Sequence, residues 1–168
     1  MLLAIAGAGC SSPKASPPHG PAATTAAAQT TLVPTTAPGA ITAAAVAAAT
    51  RLFSGNPTQD AGLDAAWLRC RVLLTPALTA QLLHQQAAPE DATWRSWRTH
   101  QATVSVHADP VADDAPTDTA TLAVRRLALV LTAHGRNGWA DRTRLGVVLT
   151  LNRAPNGRWL VGGIHVDI

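Results

Sequence analysis

The chain has 168 residues, 47% of them hydrophobic and 14% charged, with a net charge of +3. That is enough apolar material for one folded domain, and so modest a positive surplus suits an anionic membrane surface without requiring nucleic acid. No apolar run approaches the ~20 residues that a membrane-spanning helix needs.

The chain opens on a leader-like stretch. Residues 2–9 are apolar and end in small residues, Cys10 follows, and Ser11-Ser12-Pro13 begins a polar chain. This order resembles the end of a bacterial lipoprotein signal peptide. The resemblance implies that residues 1–10 are a signal ending at Cys10, which is lipidated and becomes the mature N-terminus. Ala8 and Gly9 match its small-residue requirement. Gly7 stands where the pattern prefers a branched apolar residue, and no Lys or Arg precedes Cys10. A start upstream of Met1 would supply the missing basic region.

Residues 11–39 carry Pro13, Pro17, Pro18, Pro21, Pro34 and Pro38 among Ser, Thr and Ala, with no sustained apolar period. Such a composition cannot bury enough surface to offset the entropy of ordering. It reads as a tether spanning roughly 30 Å as a coil and about 90 Å when extended.

The folded domain is expected over residues 40–168. Ile41, Ala45, Ala48 and Leu52 form a helical stripe that runs to Phe53 and stops at Ser54-Gly55-Asn56-Pro57. Asn56-Pro57-Thr58-Gln59 has the pattern of a helix opening, with Leu63, Trp67, Cys70 and Leu74 as its stripe. Cys70 reads as a small buried apolar residue, not a disulfide partner of Cys10. Thr75-Pro76 restarts a third helix whose apolar side is Leu78, Leu82 and Leu83. A short turn from Pro89 leads to Trp94 and Trp97, three apart, which either cap one end of the core or face a partner.

Beyond Thr99 the period is two. Ala102, Val104, Val106 and Ala108 alternate with polar residues, and an acidic loop follows with Asp109, Asp113, Asp114 and Asp118. Three further strand-like runs cover residues 119–133, 140–152 and 158–168. They are separated by loops that contain Asn137-Gly138 and Asn156-Gly157, both strong hairpin signals. A two-residue Asn156-Gly157 turn sets Leu149 opposite Ile164, Val147 opposite Val166 and Leu145 opposite Ile168, all on the core face. Placing Leu127, Leu129 and Leu131 on that face requires an odd loop, of three or five residues, around Arg136–Gly138. Leu122 and Val124 are out of phase with Leu127, which calls for a bulge near Arg125-Arg126 or burial on both sides.

The expectation is therefore an α+β fold: three N-terminal helices packed on a curved four-stranded antiparallel meander, preceded by a disordered tether. The order resembles the cone-shaped nuclear transport factor 2-like superfamily, in the extracytoplasmic form found in actinobacterial conjugation-associated scaffolds. The ending Asn156-Gly157-Arg158-Trp159-Leu160-Val161-Gly162-Gly163-Ile164 is similar to the terminal hairpin of such domains. Enzymes with this fold keep an acid/base pair in the cone mouth, often with Tyr, and this chain has no Tyr.

No catalytic set, metal-ligand set or cofactor is assigned. There is no nucleophile elbow, phosphate loop or dinucleotide fingerprint, the histidines lack ligand spacing, and the acidic loop lacks that of a calcium site. It reads as a solvated loop, and Asp167 as an outward acid near Arg144. Arg126, Arg142 and Arg144 form a candidate basic surface, but without interleaved aromatics nucleic acid is disfavoured. The leading expectation is a non-enzymatic binding or scaffold domain. A lipid on Cys10 would tether it to the membrane on its extracytoplasmic face, where it would engage a protein partner of the cell envelope, with homo-oligomers left open. The alternatives are a small-ligand or lipid carrier with a pocket at Trp67, Leu82 and Leu149, and an isomerase or hydrolase that needs a buried carboxylate with a raised pKa.

Overall fold

A computed structural model of the chain describes residues 38–85, 91–112 and 117–167. The leader, Cys10 and residues 11–37 of the linker lie outside the described residues. Helix α1 spans Pro38–Phe53, α2 Leu63–Arg69, α3 Pro76–His84 and α4 Ala92–Thr99, with a 3-10 turn at Arg71–Leu73. Strands β1 (Thr103–Pro110), β2 (Leu122–His134), β3 (Ala140–Arg153) and β4 (Trp159–Asp167) follow, and α1 starts two residues ahead of the expected boundary at 40. The architecture is α+β, with a fourth helix, α4, formed around the Trp94/Trp97 pair.

Helix α1 buries Ile41, Ala45, Ala48, Ala49, Leu52 and Phe53. This is the expected 3.6 stripe, and its alanines let the helix lie close to the sheet. The second helix starts later than expected. Asn56 does cap, but only a turn: its side chain accepts from the Thr58 N–H at 3.1 Å, and its carbonyl accepts from the N–H groups of Gln59 and Asp60. That loop is held from outside. Buried Asp60 pairs with Arg69, Trp94 Nε1 donates to the Asp60 carbonyl at 3.1 Å, and Arg98 Nε donates to the Pro57 carbonyl at 2.8 Å.

Helix α3 begins as its sequence demands. The Thr75 side chain accepts from the Leu78 N–H at 3.2 Å, and Pro76 occupies the first turn. Leu78 and Leu82 are buried, but Leu83 is 67% exposed. One residue past Leu82 is about 100° round the helix, which takes Leu83 off the core side. The Asp91 carboxylate caps α4 by accepting from the Thr93 N–H at 3.2 Å, and Trp94 and Trp97 are buried.

The sheet is a meander in the order β1-β2-β3-β4. The β2–β3 loop has five residues, 135–139, between the paired His134 and Ala140, and Leu127 faces Val147 as the odd-loop argument requires. No register shift occurs in β2, so the expected bulge near Arg125-Arg126 is absent. The phase break has another cause. Ala123 and Leu127 keep the core face, Leu122 is 41% exposed, and the intervening core-face position holds Arg125.

The last hairpin corrects the expected turn. The Gly157 N–H donates to the Ala154 carbonyl at 2.8 Å, and the Ala154 N–H donates to the Arg158 carbonyl at 2.7 Å. The loop is therefore three residues, 155–157, with Gly157 at φ 81 as such loops need. Leu151 pairs with Val161 and Thr150 with Gly163, which leaves Gly162 as an extra residue. That bulge restores the register, so Leu149 still faces Ile164 and Val147 still faces Val166.

Both sheet edges are partly covered. Gly55 exchanges backbone hydrogen bonds with Val104 of β1, and the Thr75 N–H donates to the Val161 carbonyl of β4 at 2.8 Å. One hydrophobic core joins the helices to the inner face of the sheet. Among the described residues no helix is long and apolar enough to cross a membrane.

Candidate functional site

The sheet is longer than the helices that cover it, and a cleft of about 210 Å³ opens where α4 leans over its inner face. Trp94 and Trp97 of α4 form one wall, Leu63 of α2 another, and Leu131, Leu145 and Val166 of β2, β3 and β4 the floor. Thr93, Thr143 and Asp91 supply its polar lining. The walls come from elements that converge only in the fold, and each indole of the tryptophan wall is fixed by a hydrogen bond outside the cleft. Trp97 Nε1 donates to Asp141 Oδ2 at 2.8 Å, and Trp94 Nε1 to the Asp60 carbonyl. The two indoles stand 5.9 Å apart and tilted by 48°, which keeps a rigid apolar wall.

The acids near the cleft are engaged. Asp141 Oδ1 accepts from the Arg142 N–H at 2.7 Å while its other oxygen takes the Trp97 N–H. Asp60, the buried acid among the described residues, holds Arg69 and accepts from the Asn56 N–H at 3.3 Å. Among the described residues no group of three or more His, Cys, Asp or Glu could hold a metal ion.

Of the expected pocket residues, Leu149 is fully buried at the centre of β3 and Leu82 is buried under α3. Trp67 is half-buried, edge-on to Phe53 at 5.6 Å, with an indole N–H that has no protein partner. None of the three lines the cleft beside α4. Arg126, Arg142 and Arg144 are exposed on the outer face of the sheet, opposite Val148, Thr132 and Val130. Asp167 also faces outward, but the group beside it is His165, with Nε2 at 3.1 Å, in place of the expected Arg144. Cys70 is half-buried against the core, its thiol 3.5 Å from the Arg51 carbonyl.

Of the acidic loop, Asp113 and Asp114 lie outside the described residues, and Asp118 departs from the solvated loop expected. Asp118 accepts two hydrogen bonds from Arg125, from Nη1 at 2.7 Å and Nη2 at 2.6 Å, and Arg125 Nε donates to Thr42 Oγ1 at 2.9 Å. One arginine thus ties the approach to β2 to the second turn of α1. Its fork of hydrogen bonds holds the Asp118 carboxyl below its usual 3.8, against the opposing effect of burial, and Asp118 in turn raises Arg125.

A lowered acid pKa stabilises the fold fully above the unfolded value, and the contribution is lost as pH falls through the folded value. Asp118→Asn should therefore cost roughly 1–2 kcal/mol at pH 7. The gap to wild type should close as pH drops below about 4, in urea unfolding followed across pH. A gap that stays constant down to pH 2 would contradict this.

No protein-family model matches the chain, and no curated protein matches its sequence. Among solved structures it is similar to an IcmL-like type IV secretion system protein from Legionella pneumophila subsp. pneumophila str. Philadelphia 1. The TM-score is 0.56 at 12% identity, over 77% of this chain and 91% of that one. The likeness is one of fold.

Proposed function

We propose that this chain, which shares its fold with a type IV secretion system protein, is a non-enzymatic protein-docking domain of a cell-envelope secretion or conjugation assembly. A lipid on Cys10 and the Pro-rich stretch after it would hold the domain on the extracytoplasmic face of the membrane. The observation that carries the docking reading is the cleft beside α4. At about 210 Å³ it is smaller than the roughly 300–1,000 Å³ of sites that enclose a small-molecule ligand. It has the size and apolar walls to seat one large side chain from a partner, the usual anchor of a protein interface. Engagement of Asp60 and Asp141 in structural hydrogen bonds supports the non-enzymatic part of the reading.

The carrier reading draws on the same cleft and calls for it to bind an apolar molecule. The two are separated by a photo-crosslinking residue at Thr93, on the rim, in cells that express the chain at native level. The expected result is an adduct with an envelope protein that Thr143→Trp, filling the cleft, removes without lowering thermal stability. An adduct with lipid alone would favour the carrier. An unchanged protein adduct in Thr143→Trp would sink the cleft as the docking point. The anchor is tested apart: palmitate label and membrane fractionation should both be lost in Cys10→Ser, and an unlabelled wild-type chain would refute lipidation.

A further inference from the structure

The sheet has a third edge, created where β4 stops short. Pairing of β3 with β4 ends at Gly146 and Asp167, but β3 reaches back to Ala140, and residues 140–145 pair with β2 alone. Backbone groups along a strand point alternately to its two sides. The Arg153 N–H donates to the Thr121 carbonyl on the β2 side at 2.8 Å, and the Ala154 N–H donates to the Arg158 carbonyl on the β4 side at 2.7 Å. No register shift separates β2 from β3, so odd positions of β3 bond to β2 and even positions face the other way. Arg142 and Arg144 therefore aim their N–H and C=O groups into the line that β4 has left. Among the described residues only the Asp141 carboxylate meets any of these groups, accepting from the Arg142 N–H at 2.7 Å.

The same stretch borders the cleft. Its inner face carries Thr143 and Leu145, which line the cleft together with Val166 near the end of β4. Its outer face carries the side chains of Arg142 and Arg144, both exposed. An extended segment laid here, at the usual strand spacing of about 4.8 Å, meets free backbone groups along one side, an apolar hollow on one face and two cations on the other.

We propose that β3 is completed by a strand from a partner protein, an extended segment that runs antiparallel to β3 over residues 140–144 and alternates acidic with apolar residues. This is β-strand addition. It rests on the docking reading and gives the partner a form. Residues opposite Arg142 and Arg144 exchange both backbone hydrogen bonds with them and point outward, so an Asp or Glu there faces a guanidinium across the strands. The residue between them, opposite Thr143, points inward and delivers its apolar side chain to the cleft. Charge disfavours a second copy of this edge as the occupant. Two β3 strands related by a two-fold would set Arg142 against Arg144, or each against itself, and like charges directly opposite are destabilising. The arginines thus guard the edge against self-association and admit an acidic strand.

The test uses the full chain and the peptide Glu-Leu-Glu-Val-Thr, acetylated at its N-terminus, labelled at its C-terminus and titrated to millimolar concentration by fluorescence anisotropy. At saturation, exchange of the Arg144 amide followed by NMR should slow about tenfold or more. Arg142→Glu/Arg144→Glu should weaken this peptide about tenfold and should instead prefer Lys-Leu-Lys-Val-Thr. Both positions are exposed, so its unfolding midpoint should stay close to wild type. Arg144→Pro removes the outward N–H without breaking a bond to β2, and should weaken both peptides. No binding at millimolar peptide would overturn strand addition, as would Arg144 exchange that is unchanged at saturation. Binding that is lost in Thr143→Trp but kept in both edge variants would also overturn it, while leaving the cleft as the docking point.

Discussion

Trp97→Ala should lose about 3–5 kcal/mol of stability, a large part of the roughly 5–15 kcal/mol that holds a domain of this size. The indole is 2% exposed and is the wall against which α4 meets β3. Truncation removes its burial and leaves a hole between a helix of eight residues and a sheet, too little structure to collapse around it. Trp97→Phe separates the two contributions. It keeps most of the ring and removes only the 2.8 Å hydrogen bond to Asp141, whose oxygen is near enough to the surface to recruit water. A cost of about 1 kcal/mol is expected for it. Leu83→Ala, at a residue of similar apolar character that is 67% exposed, is the control and should change little. Urea midpoints of the three variants check the order. If Trp97→Ala falls no further than Leu83→Ala, α4 does not pack on the sheet as described.

Gly135→Ala should cost about 2 kcal/mol, by overpacking. A Cβ there would stand 2.8 Å from the His100 carbonyl oxygen and 2.9 Å from Trp139 Cε3. Neither neighbour can give way. The His100 carbonyl accepts the Arg136 N–H at 3.1 Å, and the His100 ring stacks on Trp139 at 4.2 Å and 8°. This corner joins the end of α4 to the β2–β3 loop, so a shift would propagate to the wall of the cleft. Gly138, three residues on, is a glycine for a different reason. Open space surrounds it, but its φ is +74. Gly138→Ala is expected to cost about 1 kcal/mol from backbone strain alone. Thermal unfolding of the two variants should give the larger drop at position 135, and the reverse order would mean that the corner yields.

The β region was legible because a strand has a period of two and a register error turns every side chain over. That parity sufficed to put Leu127, Leu149, Ile164 and Val166 on one face and to demand an odd loop before Trp139. It misjudged the last turn by one residue, yet Leu149–Ile164 and Val147–Val166 came out right because Gly162 absorbs the difference, while Ile168, expected opposite Leu145, lies outside the described residues. A Gly-Gly step inside a strand is the signal that a bulge sits there. The helices were legible where a cap or a proline marks an end, as at Thr75-Pro76. They were not at Asn56-Pro57, where the same residues close a turn that Arg69, Trp94 and Arg98 hold from distant parts of the chain.

What the sequence determined by itself is local and periodic: the α+β order, the meander, and the inner and outer faces. The tertiary structure alone decided the rest. Arg125 breaks the apolar phase of β2 because Asp118 and Thr42 wait for it at the sheet's end, and no period encodes that meeting. The cleft gathers Leu63, Trp97, Leu145 and Val166 from four elements and includes none of Trp67, Leu82 and Leu149, the lining expected of a carrier pocket. Periodicity says which way a side chain points. Which side chains then meet depends on how the elements pack, and that is settled by contacts between residues far apart in the chain.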